Sequence, residues 1–240
     1  MSLDARERLI VALDVETLDA ASALADTLGN AVRRLKVGLE LYTACGPEAV
    51  RVIRAHGVNV MLDLKLHDIP ETVARATARA AALGAELLTV HTSGGWKMME
   101  AAADAARKSG TGLKLLGITV LTSMDANDLA QVGEVTAGTT VEDLVKKRAQ
   151  LAMECGLDGV VASPRETSAI RSRCGPGFTI VTPGIRGGTA SPTKDDQERT
   201  TSPAEAIAAG SSYLVVGRPI IAAENPKQAA EAIAGSLAAR

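Results

Sequence analysis

The sequence predicts an α/β protein folded as a single (β/α)8 TIM barrel over residues 1–240. Three observations point there. The chain has 240 residues, close to the roughly 250 typical of one such barrel. Eight short apolar runs recur along it: Leu9–Leu13, Leu35–Val37, Val58–Leu62, Leu87–Val90, Leu113–Val120, Gly159–Val161, Phe178–Val181 and Tyr213–Val216. Each is short and predominantly apolar on both faces, as a strand covered on both sides should be. Ala-rich stretches with helical patterning separate the runs, and strand–helix alternation of this kind means parallel strands. Eight units favour closure into a barrel over an open sheet.

The helical stretches cover about 18–28, 42–55, 70–83, 96–108, 140–155, 165–173, 204–209 and 226–238. Thr17 supplies a start signal for the first, and Pro70 opens the third. Gly29, Gly57, Gly84, Gly110, Gly156 and Gly210 fall near helix ends, where a left-handed cap is needed. Hydrophobic residues make up 46% of the chain but aromatics only 2%. The core must therefore be built from Ala, Val, Leu and Ile, which suits thin helices laid on β-branched strands.

The formal net charge is −2, without a basic or acidic block. That argues against a nucleic-acid or membrane-surface partner, so an anionic ligand would need a local site. Cys45, Cys155 and Cys174 are odd in number and far apart. They have neither metal-ligand spacing nor a disulfide framework, and a reducing cytoplasm is the simplest reading. The apolar run near the start, Leu9–Leu13, is too short for the core of a signal peptide, and no stretch approaches a membrane span. No Gly-x-Gly-x-x-Gly follows the first strand and no metal-ligand cluster appears, so no cofactor is expected.

One polar loop stands out, RGGTASPTKDDQERTTSP over 186–203. Loops of that length inside a compact domain usually act as lids or binding loops. Residues 187–200 are expected to be mobile without ligand and ordered over a bound one.

Barrel enzymes take their catalytic groups from the C-terminal ends of the strands. Here those positions hold Asp14, Lys36, then Asp63, Lys65 and Asp68, then His91, Thr122, Pro183 with Arg186, and Gly217 with Arg218. Asp63 and Lys65 are two apart, so a regular strand would turn both to one face. Alone, the pair reads equally well as a surface salt bridge. With Lys36 on the neighbouring strand and Asp68 following, the charges alternate. Flanking carboxylates would keep each lysine protonated, and the lysines would keep each carboxylate ionised. Such an array is a poor base but a good fixed-charge acid, suited to a reaction that develops negative carbon and then protonates it.

The other end of a ligand has its own argument. Phosphate sites in barrels often form from the loops after strands 7 and 8. Gly217 leaves room for an oxyanion beside the backbone, Arg218 offers a planar fork of donors, and Arg186 opens the long loop. His91 looks like a base but has no partner pattern for a nucleophile or metal, so it reads as structural. His67 reads likewise.

The stretch DLKLHDIPET resembles the signature of the orotidine 5'-phosphate decarboxylase family, with its D-x-K-x-x-D core and following Ile-Pro. LIVALDV, LKVGLELY, LLTVHTSGG, GITVLTSM, VVASPRE, TPGIR, DDQERTTSPAEAIAAG and YLVVGRPI also fall in that family's order. Leu66 departs from the pattern, where an aromatic is usual. The resemblance implies a cofactor-free decarboxylation of orotidine 5'-monophosphate (OMP) to uridine 5'-monophosphate (UMP) and CO2, the last step of de novo UMP synthesis. It implies Lys65 as the donor of a proton to C6, Asp63 against the departing carboxylate, and Lys36 and Asp68 completing the charged network. Asp68 would reach in from the other subunit of a homodimer. Asp14 and Lys36 match ribose-hydroxyl contacts, and Thr122 a pyrimidine contact. Leu64, Leu66, His67, Ile69, Pro70, Glu71 and Thr72 around the signature, and Pro183, are carried over as substrate contacts. Gln197 in the long loop would bridge phosphate and base, beside Arg186, Gly217 and Arg218.

Sugar-phosphate decarboxylases and hexulose-phosphate synthases of the same superfamily share the D-x-K-x-x-D strand but use Mg2+ and enediolate chemistry. The His-Asp-Ile-Pro continuation and the DDQ of the long loop argue against them. A non-catalytic phosphate-binding barrel would need the charged array to have decayed, and it is intact.

Overall fold

A computed structural model gives the fold and describes residues 4–135, 138–185 and 201–238. Eight strands close into a barrel in sequence order: β1 Leu9–Ala12, β2 Arg34–Val37, β3 Asn59–Leu66, β4 Leu87–His91, β5 Lys114–Ile118, β6 Gly159–Val161, β7 Thr179–Thr182 and β8 Tyr213–Val216. Every neighbouring pair is parallel, and β8 closes on β1 through Leu9↔Leu214 and Val11↔Val216.

Strand alternation sorts the core into two layers. Ile10, Ala12, Met61, Leu87, Leu116, Val181, Tyr213 and Val215 fill the barrel interior. Their neighbours, among them Leu9, Val11, Leu62, Leu88, Leu115 and Leu214, face the helices. Each wholly buried Leu or Ile contributes roughly 1.5–3 kcal/mol. The helix Gly95–Ser109 shows how a core poor in aromatics is made. It buries Met98, Met99, Ala102, Ala103 and Ala106, a stripe at helical spacing whose small alanines let the helix lie close to the strands.

The same alternation gives β2 a charge at each end of the barrel. Arg34 lies on the floor, where its guanidinium makes a bidentate pair with Glu86 at 2.7 and 2.8 Å and stands 4.8 Å over the Tyr213 ring. Lys36, two residues on, points into the mouth.

The sequence-predicted helices are present with shifted ends, and one is broken. The stretch 42–55 is two helices, Leu39–Cys45 and Glu48–Ala55. Gly46 at φ 60 and Pro47 stop the first, because proline cannot continue the backbone ladder. A helix at Ala126–Gln131 went unpredicted, although Asp125 and Asp128 form its capping box. The run Leu113–Val120 yields the shorter strand Lys114–Ile118, and the run ending at Leu62 continues to Leu66. All six glycines expected at helix ends take positive φ. No helix among the described residues is long and apolar enough to cross a membrane.

Candidate active site

The C-terminal mouth holds a cavity of about 270 Å³ whose walls include Asp14, Lys36, Asp63, Lys65, Thr122, Pro183, Gly217 and Arg218. Six strand ends and the loops after them thus bring eight of the predicted residues together. Met61, Ile118, Val120, Leu121, Val161, Ala162, Ile185 and Val215 supply apolar wall between them. Apolar walls exclude water, which strengthens every charge interaction inside.

The charges alternate. The Lys36 ammonium donates to Asp14 Oδ1 at 3.3 Å and lies 3.7 Å from Asp63 Oδ2. The Lys65 ammonium donates to Asp63 Oδ1 at 2.9 Å. Asp63 is buried, so its carboxylate depends on these cations for compensation.

Asp63 and Lys65 do share a face, but not by the plain alternation expected. Between the pairs Leu62↔Leu88 and Leu66↔Val90, β3 advances four residues while β4 advances two. The strand bulges there, and Lys65 takes φ 50, the positive-φ conformation among the described non-glycine residues. That conformation costs on the order of 1–3 kcal/mol in a side-chain-bearing residue and is kept where the surroundings hold it. The hold is Thr89, which lies wholly buried on β4. Its Oγ1 accepts the Lys65 backbone N–H at 2.9 Å and donates to Asp63 Oδ1 at 2.9 Å.

Three further contributors had little signal in the sequence. Thr89 reads as an ordinary strand residue. Gly38 reads as a turn, yet a Cβ there would lie 2.9 Å from Lys36 Nζ. Arg148 reads as helix surface, yet it is buried and binds Thr119 O at 2.6 Å, Glu134 Oε1 at 2.7 Å and Ser93 Oγ at 2.8 Å. It thereby secures the start of the loop that carries Val120, Leu121 and Thr122.

The rest of the signature stretch lies away from the cavity of this chain. Leu64 and Leu66 turn outward and pack against the layer under the helices. His67, Asp68, Ile69, Glu71 and Thr72 are exposed, and Pro70 is half-buried at the first turn of the helix Pro70–Ala82. Asp68 Oδ1 accepts the Ile69 N–H at 2.6 Å, and Glu71 pairs with Arg75. None of these eight residues lines the mouth cavity within one subunit. The expected substrate contacts at Leu64 and Leu66 thus lie on the helix side of β3, outside the cavity wall of this chain.

His91 ends β4 but is not a wall of the cavity. It stacks on His67 with ring centroids 5.3 Å apart, and its Nδ1 accepts the Ser93 N–H. Burial first, then the Arg148 guanidinium and His67, lower its pKa to about 4. A neutral, stacked imidazole is what a structural role requires.

Arg186, Gln197 and most of the loop 186–203 lie outside the described residues. The described ends of that loop are joined: Ile185 and Thr201 form a parallel bridge, and Ser202 caps the helix Pro203–Ala208 through a capping box with Glu205. Gly217 leads into the short helix Arg218–Ile221. Among the described residues, no group of three or more His, Cys, Asp or Glu side chains is arranged to hold a metal ion.

The family profile described as orotidine 5'-phosphate decarboxylase / HUMPS family matches residues 7–233. The orotidine 5'-phosphate decarboxylase of Pelobacter propionicus is 48% identical over 238 residues, covering 98% of this chain and 97% of the relative. That of Syntrophotalea carbinolica is 49% identical over 244 residues, covering 100% and 98%. The crystal structure of orotidine 5'-phosphate decarboxylase from Lactobacillus acidophilus superposes with a TM-score of 0.83 at 34% identity, covering 97% of this chain and 100% of that one.

Proposed function

The chain belongs to the orotidine 5'-phosphate decarboxylase / HUMPS family, and from that membership we propose that it is a carboxy-lyase converting OMP to UMP and CO2 in pyrimidine biosynthesis. The observation that carries this reading is the run Lys36–Asp63–Lys65, with charges 3.7 and 2.9 Å apart, set among apolar walls at the barrel mouth.

The mechanism follows from that array. The pyrimidine lies with C6 over Lys65 and its carboxylate toward Asp63. Two carboxylates held together in a water-poor site repel, and departure of neutral CO2 relieves that repulsion. The C6–carboxyl bond breaks, its electron pair stays on C6, and the Lys65 ammonium stabilises that charge before giving C6 its proton. Lys36 keeps Asp63 compensated and, with Asp14, reaches the ribose hydroxyls. Thr122 meets the pyrimidine. Gly217, Arg218, Arg186 and Gln197 take the phosphate, and binding there drives closure of the 186–203 loop over the ring. Electrons and protons balance without a cofactor.

Asp68 is exposed and does not line its own subunit's cavity, and a homodimer in which that carboxylate completes the partner's site fits this position. The reading places the enzyme in the cytoplasm. Its three cysteines are free, which suits a reducing compartment; recovery in a membrane or secreted fraction would contradict that. The test of the activity is to add OMP to the purified protein in excess EDTA and follow pyrimidine absorbance. A fall to the level of UMP at an EDTA-independent rate is expected; a rate that needs added Mg2+ would point to the enediolate branch of the family.

A further inference from the structure

Thr89 occupies the one point where the bulge in β3, the Lys65 backbone and the Asp63 carboxylate meet. Its hydroxyl has a single proton. Since Oγ1 accepts the Lys65 N–H, that proton is left for Asp63 Oδ1, and both contacts are 2.9 Å. The β3–β4 ladder is interrupted between Leu62 and Leu66, so the Lys65 amide has the threonine side chain in place of a strand carbonyl. Asp63 Oδ1 consequently takes two donors, Thr89 and the Lys65 ammonium, while Oδ2 is turned toward Lys36. Thr89 is fully buried, so water cannot replace it.

We infer that Thr89 is a positioning residue for the decarboxylation: its hydroxyl holds the Lys65 backbone left-handed and fixes the rotation of the Asp63 carboxylate. The inference rests on the roles given above to Lys65 and Asp63. A threonine kept only because β-branched residues suit strands would act through its shape. A positioning hydroxyl acts through its two hydrogen bonds, and the two cases separate by substitution. Thr89→Val keeps the shape and removes both bonds. Thr89→Ser keeps the bonds and removes a methyl.

The experiment measures kcat and KM for OMP, UMP affinity and thermal stability for both variants, and solves the crystal structure of Thr89→Val. Misplacing the proton donor slows chemistry without loosening a phosphate anchor, so Thr89→Val should lose on the order of a hundredfold in kcat. Its KM and UMP affinity should stay within about threefold of the parent, and Thr89→Ser should keep kcat within about threefold. The valine variant's crystal structure should show Lys65 out of the left-handed region or the Asp63 carboxylate rotated. A folded Thr89→Val with parental kcat, or a Thr89→Ser as slow as Thr89→Val, would overturn the inference. Should Thr89→Val not fold, Thr89→Cys, similar in volume but a weak donor, carries the same comparison. If the parent itself fails to decarboxylate OMP, the functional reading falls. The crystal structure then still decides whether Thr89 holds Lys65 and Asp63, with both unchanged counting against it.

Discussion

Lys65 Nζ donates to Asp63 Oδ1 across 2.9 Å although the strand that carries both residues bulges between them. The bulge delivers an ammonium to a buried carboxylate and leaves the ammonium facing the cavity. A regular pleat would also face Lys65 with Asp63, but it would bond the Lys65 N–H to the ladder rather than to Thr89. Bulges commonly re-aim a side chain beside an active site, and here the re-aimed group is the proposed proton donor.

Gly38 sets the position of Lys36. A methyl at that position would come within 2.9 Å of Lys36 Nζ. Lysine is flexible, so the ammonium would swing aside at little cost to the fold. Gly38→Ala should therefore lower kcat by about tenfold while changing unfolding free energy by less than about 1 kcal/mol. Parallel kinetics and urea unfolding check both halves; loss of stability with unchanged kcat would assign Gly38 to folding alone.

Arg218 lines the cavity from the end of β8, which β1 and β2 separate from the β3 that carries Lys65, and is assigned to the phosphate. Removing a desolvated charge-assisted contact costs roughly 2–5 kcal/mol. Arg218→Ala should weaken UMP binding accordingly and also slow turnover, because phosphate binding drives loop closure. Calorimetric titration with UMP beside steady-state kinetics reads both; unchanged affinity would move the phosphate elsewhere.

His91 should make stability depend on pH. Its pKa is about 4 in the folded chain and about 6.5 unfolded. Between those values the unfolded chain binds the extra proton, so stability is fully present above pH 6.5 and is lost as pH falls toward 4. The shift is worth at most about 3 kcal/mol, and the partial exposure of the ring lowers the loss attributable to His91 to on the order of 2 kcal/mol. His91→Asn, which keeps an acceptor for the Ser93 N–H, should flatten the urea-unfolding profile across that window. A slope equal to the parent's would assign it to other groups.

Asp68 tests the homodimer. Lys65→Ala and Asp68→Ala chains, each inactive, should regain activity when mixed, because one of the two sites in a hybrid dimer is complete. Subunit exchange followed by fluorescence must accompany the assay. Exchange without recovered activity would return Asp68 to its own subunit.

The barrel was legible because its signals are local. Strands covered on both faces must be predominantly apolar, as Ile10, Val11 and Ala12 of β1 are, and glycine at a helix end advertises the turn it makes. The charged residues of the mouth were legible too, since Asp14, Asp63 and Lys65 follow apolar runs and Lys36 interrupts one near its end. What sequence reasoning missed depends on contacts between strands. Thr89 matters only because β3 bulges opposite it, and the bulge has no glycine to mark it. Arg148 acquires its role from Thr119, Ser93 and Glu134, which lie on three other segments. The outward turn of Leu64 and Leu66 was legible, since the alternation that sets Asp63 and Lys65 on one face sets them on the other; a family signature spans both faces because packing residues recur alongside reacting ones.

The most direct test of the account is the turnover of Lys65→Ala. Lys65 is the proposed proton source at C6, and the phosphate anchors lie elsewhere in the cavity. The variant should lose at least about 10²–10⁴-fold in kcat, the usual contribution of a positioned acid, while UMP still binds with affinity near the parent's. Near-parental kcat in Lys65→Ala would contradict the assignment of Lys65 as proton donor and, with it, the mechanism built on the Lys36–Asp63–Lys65 array.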